Sequence, residues 1–146
     1  MSDTRTYIRI IPDRRSIGQI VGEMKRRGVD YADFVASPHC TIIYSKQVVS
    51  VGGIALPEIE LPVIGARPRL SVFDTPDGRC LVVEFDCEAL EKLHYEIKTR
   101  YGLATQFEAY RPHMTMQLNA SQAVESLPPL PKMSLHFYKI KMDNGK

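Results

Sequence analysis

Two short segments of the sequence share a four-residue pattern of proline, histidine, any residue and threonine. The first is PHCT, in which His39 and Thr41 stand two residues apart, and the second is PHMT, with His113 and Thr115. Each segment leads into an apolar run that is typical of a β-strand. Because strand side chains alternate between two faces, each histidine shares a face with its threonine. Two such strands side by side would present two imidazoles and two hydroxyls to one ligand.

This set of side chains suits the cleavage of a phosphodiester. A neutral imidazole can remove a proton from an attacking hydroxyl while an imidazolium protonates the leaving oxygen, and a pKa of about 6.5 allows both roles near neutral pH. The threonine hydroxyls can donate hydrogen bonds to the oxygens on which negative charge grows. The cysteine, histidine and acidic residues of the sequence form no cluster with the spacing of metal ligands. We therefore expect neither a metal ion nor another cofactor.

A single His-x-Thr on a strand is usually structural, but a repeated PHxT is harder to obtain by chance. The chain has 10 prolines, 4 histidines and 7 threonines. A random sequence of this composition would contain a PHxT segment roughly 0.01 times on average. The remaining histidines lie outside the motif. His94 falls within a predicted helix, where a surface or packing role is favoured, and His136 falls on the last predicted strand, where a structural role is favoured over a place in the cleft.

Length, composition and charge indicate the class of protein. The 146 residues, 44% of them hydrophobic, predict one domain over residues 1–146. No apolar run approaches the roughly 20 residues of a membrane helix, and the N-terminus lacks a signal-peptide core, so we expect a cytoplasmic protein. A net charge of +2 argues against broad binding to long nucleic acid. The three cysteines, Cys40, Cys80 and Cys87, are expected to be reduced thiols.

The apolar patterning predicts two helices and seven strands. The helices are expected at Asp13–Arg27 and Glu88–Tyr101, the second capped by Asp86 and ended by Gly102. The strands are expected at Thr6–Pro12, Cys40–Ser45, Ile59–Ala66, Pro68–Asp74, Cys80–Asp86, Met114–Leu118 and Ser134–Met142. Both halves of the chain end in a PHxT strand. This order predicts an α+β fold of two pseudo-symmetric halves that bring both motifs into one cleft.

The two His-x-Thr motifs, placed 74 residues apart (113 − 39) in a small α+β chain, resemble those of the 2H phosphoesterase superfamily. The chain length and the first motif, PHCTIIYS, most resemble its phage anti-CBASS phosphodiesterases. The resemblance implies a bilobal fold in which antiparallel sheets flank a central cleft, with the helices outside. It also implies that His39 and His113 are the acid–base pair, that Thr41 and Thr115 hold the phosphate, and that the substrates are cyclic di- and trinucleotides with which bacteria signal infection.

Aromatic and basic residues near the motifs are candidates for substrate binding, because every nucleobase has a face on which a ring can stack. Tyr7 and Tyr110 are the stacking candidates. Arg111 lies close to the second histidine and is a candidate phosphate contact, although a solvated arginine at the end of a strand is the more ordinary interpretation. Tyr44 lies three residues beyond Thr41, so strict alternation predicts that it packs in the core.

The sequence leaves three functions open. The leading hypothesis is a monomeric, metal-independent phosphodiesterase that cleaves a small cyclic oligonucleotide. The second is an RNA-processing enzyme whose substrate is a 2′,3′-cyclic phosphate or a 2′,5′ linkage. The third is a sponge or sensor that binds a nucleotide without cutting it, which is disfavoured because binding alone does not need both histidines. The sequence does not assign the base and the acid.

Overall fold

The computed structural model describes residues 5–29, 35–75, 78–105, 109–118 and 129–144. Six strands and two helices lie within these ranges, together with a 3-10 turn at Val51–Gly53. The strands are β1 (Thr6–Pro12), β2 (Cys40–Ser45), β3 (Val63–Thr75), β4 (Gly78–Asp86), β5 (His113–Gln117) and β6 (Ser134–Asp143). The helices are α1 (Arg14–Arg26) and α2 (Glu88–Tyr101). The predicted α+β class is confirmed.

The six described strands form one closed antiparallel barrel in the order β1, β2, β5, β4, β3, β6. The predicted arrangement of separate sheets on either side of a cleft is not confirmed, because strands from the two halves of the chain pair with each other. β2 pairs with β5, and β1 pairs with β6. β3 is long enough to reach two partners, since Val63–Ala66 pair with β6 while Ala66 and Arg69–Thr75 pair with β4.

One long strand, β3, replaces the two strands predicted on either side of Arg67. Arg67 has a φ of 51°, and the register with β4 shifts between Ala66 and Arg69. Proline cannot donate to a ladder and is tolerated at such irregularities, so the strand continues through Pro68. The segment at 59–62 precedes the strand.

The core lies between one face of the strands and the two helices. Along β1, buried residues alternate with partly exposed ones, as expected for a strand with one buried face. The fully buried side chains of α1 and α2 that join the same core are Ile20, Met24, Leu90 and Ile97. All three cysteines are buried thiols. Within the described ranges, neither helix has the length and apolar character needed to span a membrane.

The ends of the helices agree with the predicted signals except at one cap. Asp13 is the N-cap of α1, and its carboxylate accepts a hydrogen bond of 2.8 Å from the backbone of Ser16. α2 ends at Gly102 in the left-handed region, with a φ of 60°. The predicted N-cap, Asp86, is wrong: Cys87 occupies that position. The carboxylate of Asp86 instead pairs with two arginines of β3.

Gly65→Ala is expected to lower the free energy of unfolding by about 1–3 kcal/mol, the usual cost of an overpacked core. A Cβ at Gly65 would lie 2.6 Å from Cδ2 of Phe85, whose ring is stacked on Phe137 in the core. Urea unfolding measures the effect. The matched control is Gly18→Ala in α1, where a Cβ meets nothing within 4 Å. Alanine at this helical position should raise the free energy of unfolding by about 0.5–1 kcal/mol. Equal stabilities for the two variants would contradict this packing.

Candidate active site

The two motifs meet because β2 pairs with β5 through Cys40 and Met114. Both of these side chains are fully buried in the core. Since successive residues of a strand point to opposite faces, the histidine and threonine that flank each of them point to the other face, where all four are partly exposed. The structure therefore places both motifs on one face of two neighbouring strands.

The antiparallel register sets each histidine across from the threonine of the other motif. Thr41 lies opposite His113, and His39 lies opposite Thr115, when the pairing is extended by one residue on either side. Side chains directly opposite have Cβ atoms about 5 Å apart, and diagonal neighbours about 7–8 Å. The two imidazoles are diagonal neighbours, which leaves room for one phosphate between them.

Both imidazole rings are oriented by the same contact. Nδ1 of His39 donates to the carbonyl of Ser37 at 3.0 Å, and Nδ1 of His113 donates to the carbonyl of Arg111 at 2.7 Å. A carbonyl oxygen can only accept, so Nδ1 carries the hydrogen in both rings. The nitrogen left for proton transfer is therefore Nε2 in each case. In both motifs the carbonyl belongs to the residue two positions before the histidine.

A tyrosine hydroxyl contacts the reactive nitrogen of the first histidine. The hydroxyl of Tyr7 lies 2.5 Å from Nε2 of His39. The Tyr7 ring is covered by the guanidinium groups of Arg5 and Arg9, at 5.2 and 4.9 Å from its centroid, and meets the ring of Tyr44 edge-on at 5.7 Å. In the neutral imidazole Nε2 is an acceptor, so the hydroxyl of Tyr7 donates to it. A protonated Nε2 could not accept this hydrogen bond, and the contact therefore favours the neutral form of His39.

Tyr44 corrects a prediction, because it lies on the same face as Thr41 and is 41% exposed. The register between β1 and β2 shifts here: two consecutive residues of β1 pair with Ile43 and Thr41, which leaves Ile42 as an extra residue. Ile42 and Ile43 are both buried. A β-bulge of this kind reverses the alternation beyond it, so the residue expected in the core faces the site.

The second histidine lies against an aromatic ring and close to a buried carboxylate. The rings of His113 and Phe73 have centroids 4.4 Å apart, and Glu84 of β4 is paired with His113 in the ladder. Glu84 is 7% exposed and accepts two hydrogen bonds from Arg111, of 2.7 and 2.8 Å. The guanidinium of Arg111, predicted as a phosphate contact, is therefore already paired, and it covers the ring of Phe73 at 4.5 Å.

The surroundings of the two histidines act on their pKa values in partly opposite ways. Burial lowers the pKa of both imidazoles, because it penalises the charged form. Beside His39, the positive charge of Arg9 lowers the pKa further, against the carbonyl of Ser37, which raises it. Beside His113, the carbonyl of Arg111 and the carboxylate of Glu84 raise the pKa, and the guanidinium charge of Arg111 lowers it by less than Glu84 raises it. The charge nearest His39 therefore favours its neutral form, whereas the carboxylate nearest His113 favours the imidazolium and opposes the effect of burial.

A cavity of about 700 Å³ opens beside Thr41 and His113, and Tyr110 forms part of its wall. The Tyr110 ring is stacked on His94 with centroids 4.3 Å apart, and its hydroxyl donates to the carbonyl of Thr41 at 2.7 Å. His94 is buried and donates from Nδ1 to the carbonyl of Ile42 at 2.6 Å, which is the packing role. These contacts occupy one face and the hydroxyl of Tyr110; stacking on a base through its remaining surface stays a prediction.

Sequence reasoning missed three residues of this site, Arg9, Phe73 and Glu84. Two of them carry a signal in the sequence: Arg9 stands two residues after Tyr7 on the same strand, and Glu84 interrupts the apolar run LVVEFD. His136 is exposed and does not line this cavity. Among the described residues, no group of three or more histidine, cysteine or acidic side chains is placed to hold a metal ion.

Comparison with known proteins identifies the family. The model of a family described as anti-CBASS protein Acb1 matches residues 4–138. The chain belongs to the anti-CBASS protein Acb1 family. The family resemblance expected from the paired motifs is thereby confirmed.

Two individual matches agree with this assignment. The chain is 33% identical over 89 residues to the anti-CBASS protein Acb1 of Salmonella phage S16; the match covers 58% of this chain and 53% of the relative, so the chain spans about half the length of that protein. A solved structure described as the crystal structure of phosphoesterase superposes with a TM-score of 0.69, covering 97% of this chain and 87% of the other. At 17% identity, this second match shows a shared fold.

Tyr7→Phe is expected to raise the pKa of His39 in this Acb1-family protein. The variant removes the hydroxyl that stabilises the neutral imidazole and keeps the ring that the arginines cover. Titration of the imidazole signals by NMR measures the shift. Tyr44→Phe is the matched control, since the Tyr44 ring meets Tyr7 by its edge and its hydroxyl is not part of the Tyr7–His39 contact. An unchanged pKa of His39 in Tyr7→Phe would show that the hydroxyl does not hold the ring neutral.

Proposed function

We propose that this protein is a metal-independent phosphodiesterase that opens cyclic di- and trinucleotides used by bacteria to signal infection. The observation that carries the proposal is the pairing of the two His-x-Thr motifs on β2 and β5, with both Nδ1 atoms held by carbonyls and both Nε2 atoms left for proton transfer. Membership of the anti-CBASS protein Acb1 family supports this class of substrate. The proposed site of action is the cytoplasm of the infected host, and the protein is expected to act as a monomer.

The contacts of the two histidines suggest which is the base. His39 accepts a hydrogen bond from Tyr7 and lies near the charge of Arg9, both of which favour the neutral imidazole. His113 lies near Glu84, whose negative charge favours the imidazolium. We therefore assign His39 as the general base and His113 as the general acid in the cleavage step.

The proposed reaction begins at a ribose 2′-hydroxyl of the bound ring, which takes the place of the Tyr7 hydroxyl at His39. Nε2 of His39 removes the hydroxyl proton, and the oxygen forms a bond to the neighbouring phosphorus while the bond from phosphorus to the 5′ oxygen breaks. His113 gives its Nε2 proton to that leaving oxygen. The product is a linear oligonucleotide that ends in a 2′,3′-cyclic phosphate. Water can then open this end with the two histidines in exchanged roles.

The threonines and the cavity provide the remaining interactions in this account. Thr41 and Thr115 face the same space as the histidines, where their hydroxyls can donate to the non-bridging oxygens as negative charge develops. The exposed ring of Tyr44 and the ring of Phe73 line the cavity next to His113. Rings of this kind offer stacking surfaces for a base attached to the scissile phosphate.

His39→Ala and His113→Ala are each expected to slow cleavage of a cyclic dinucleotide by about 10²–10⁴-fold, the usual contribution of one general acid or base. Product analysis after incubation, with EDTA present throughout, measures the loss. His136→Ala serves as the control because this histidine is exposed and does not line the cavity beside His113. Full turnover by either site variant, or activity that requires added metal in the wild type, would contradict the proposal. Binding without cleavage by the wild type would favour a sponge.

A further inference from the structure

A second cavity lies on the other side of the proposed catalytic pair. It has a volume of about 630 Å³, and His39 lies in its wall, whereas His113 lies in the wall of the first cavity. The two spaces differ in chemistry. The first is lined mainly by apolar and aromatic side chains, while Arg9, Arg14 and Lys141 contribute three cationic groups to the second.

The positive charge of the second cavity is incompletely neutralised. Arg9 is paired with Asp143 at 2.7 Å. Asp13, which also lines the cavity, uses its carboxylate to accept from the backbone of Ser16. Within the described part of the chain, Arg14 and Lys141 form no ion pair with a carboxylate, and both are exposed. Two cations are therefore presented next to a catalytic imidazole, in a space large enough for an anionic group.

We propose that this cavity binds a second phosphate of the substrate while the scissile phosphate lies between the two histidines. The inference rests on the proposed function and narrows its substrate class to nucleotides that contain at least two phosphate groups. A ring of two or three nucleotides meets this requirement, because each of its nucleotides contributes a phosphodiester. A 2′,3′-cyclic mononucleotide does not, since its one phosphate must occupy the catalytic position.

Arginine suits the second site because its guanidinium donates two parallel hydrogen bonds to phosphate oxygens, and lysine adds a mobile point charge. Arg14 approaches from the first turn of α1 and Lys141 from β6. The two cations therefore come from separate elements. β1 lies between β6 and β2, and His39 directly precedes β2. This arrangement lets the cavity hold a phosphate at a fixed position relative to the base.

The test measures binding in a chain that cannot turn over its ligand, the double variant His39→Ala, His113→Ala. Adding Arg14→Ala and Lys141→Ala to this background should raise the Kd of a 3′,5′-linked cyclic dinucleotide by about 10-fold or more, as expected for lost charge-assisted hydrogen bonds. The Kd of 2′,3′-cyclic AMP should change by less than about twofold. Arg15→Ala is the matched control, because Arg15 is an exposed arginine of the same helical turn that does not line the cavity.

The outcomes separate this inference from the proposed function. A loss of affinity confined to the cyclic dinucleotide supports a second phosphate site, whether or not the wild type cleaves that ligand. Equal losses for the two ligands, an equal loss in Arg15→Ala, no loss at all, or no binding of the cyclic dinucleotide would overturn it. Cleavage by the wild type decides the proposed function independently of these affinities.

Discussion

The pairing of β2 with β5 at Cys40 and Met114 brings the two His-x-Thr motifs together, and the rest of the site depends on it. The two buried side chains belong to the core, so the pairing is held by the same burial that stabilises the fold. Strands on either side supply the groups that act on the histidines. β1 lies next to β2 and provides Tyr7, while β4 lies next to β5 and provides Glu84.

Two equivalent motifs thereby acquire different electrostatic surroundings. Both rings are oriented by a carbonyl two residues earlier in the chain, and both are partly desolvated. A hydroxyl donor and a guanidinium then favour the neutral form of one ring, and a carboxylate favours the charged form of the other. This difference is what acid–base catalysis by two histidines requires, since one must be neutral and the other protonated at the same moment.

The sequence predicted the helices, the motif strands and the shared face of the two motifs, because these depend on local periodicity and on alternation along a strand. The placement of Tyr44 could not be predicted this way, since the bulge that reverses the alternation depends on the register between β1 and β2. The single closed sheet was also missed, because pairing between β3 and β6 joins segments distant in the chain. Glu84 was missed for the same reason, because its place beside His113 depends on the pairing of β4 with β5.

The pH dependence of kcat/KM for a cyclic dinucleotide tests the paired acid–base account most directly. Because burial lowers the pKa of both His39 and His113, the profile of the wild type should be bell-shaped, with its optimum on the acid side of about pH 6.5. The residual activity of His39→Ala should lose the acid limb, and that of His113→Ala should lose the alkaline limb. A flat profile for the wild type, or both limbs surviving in either variant, would contradict catalysis by this pair.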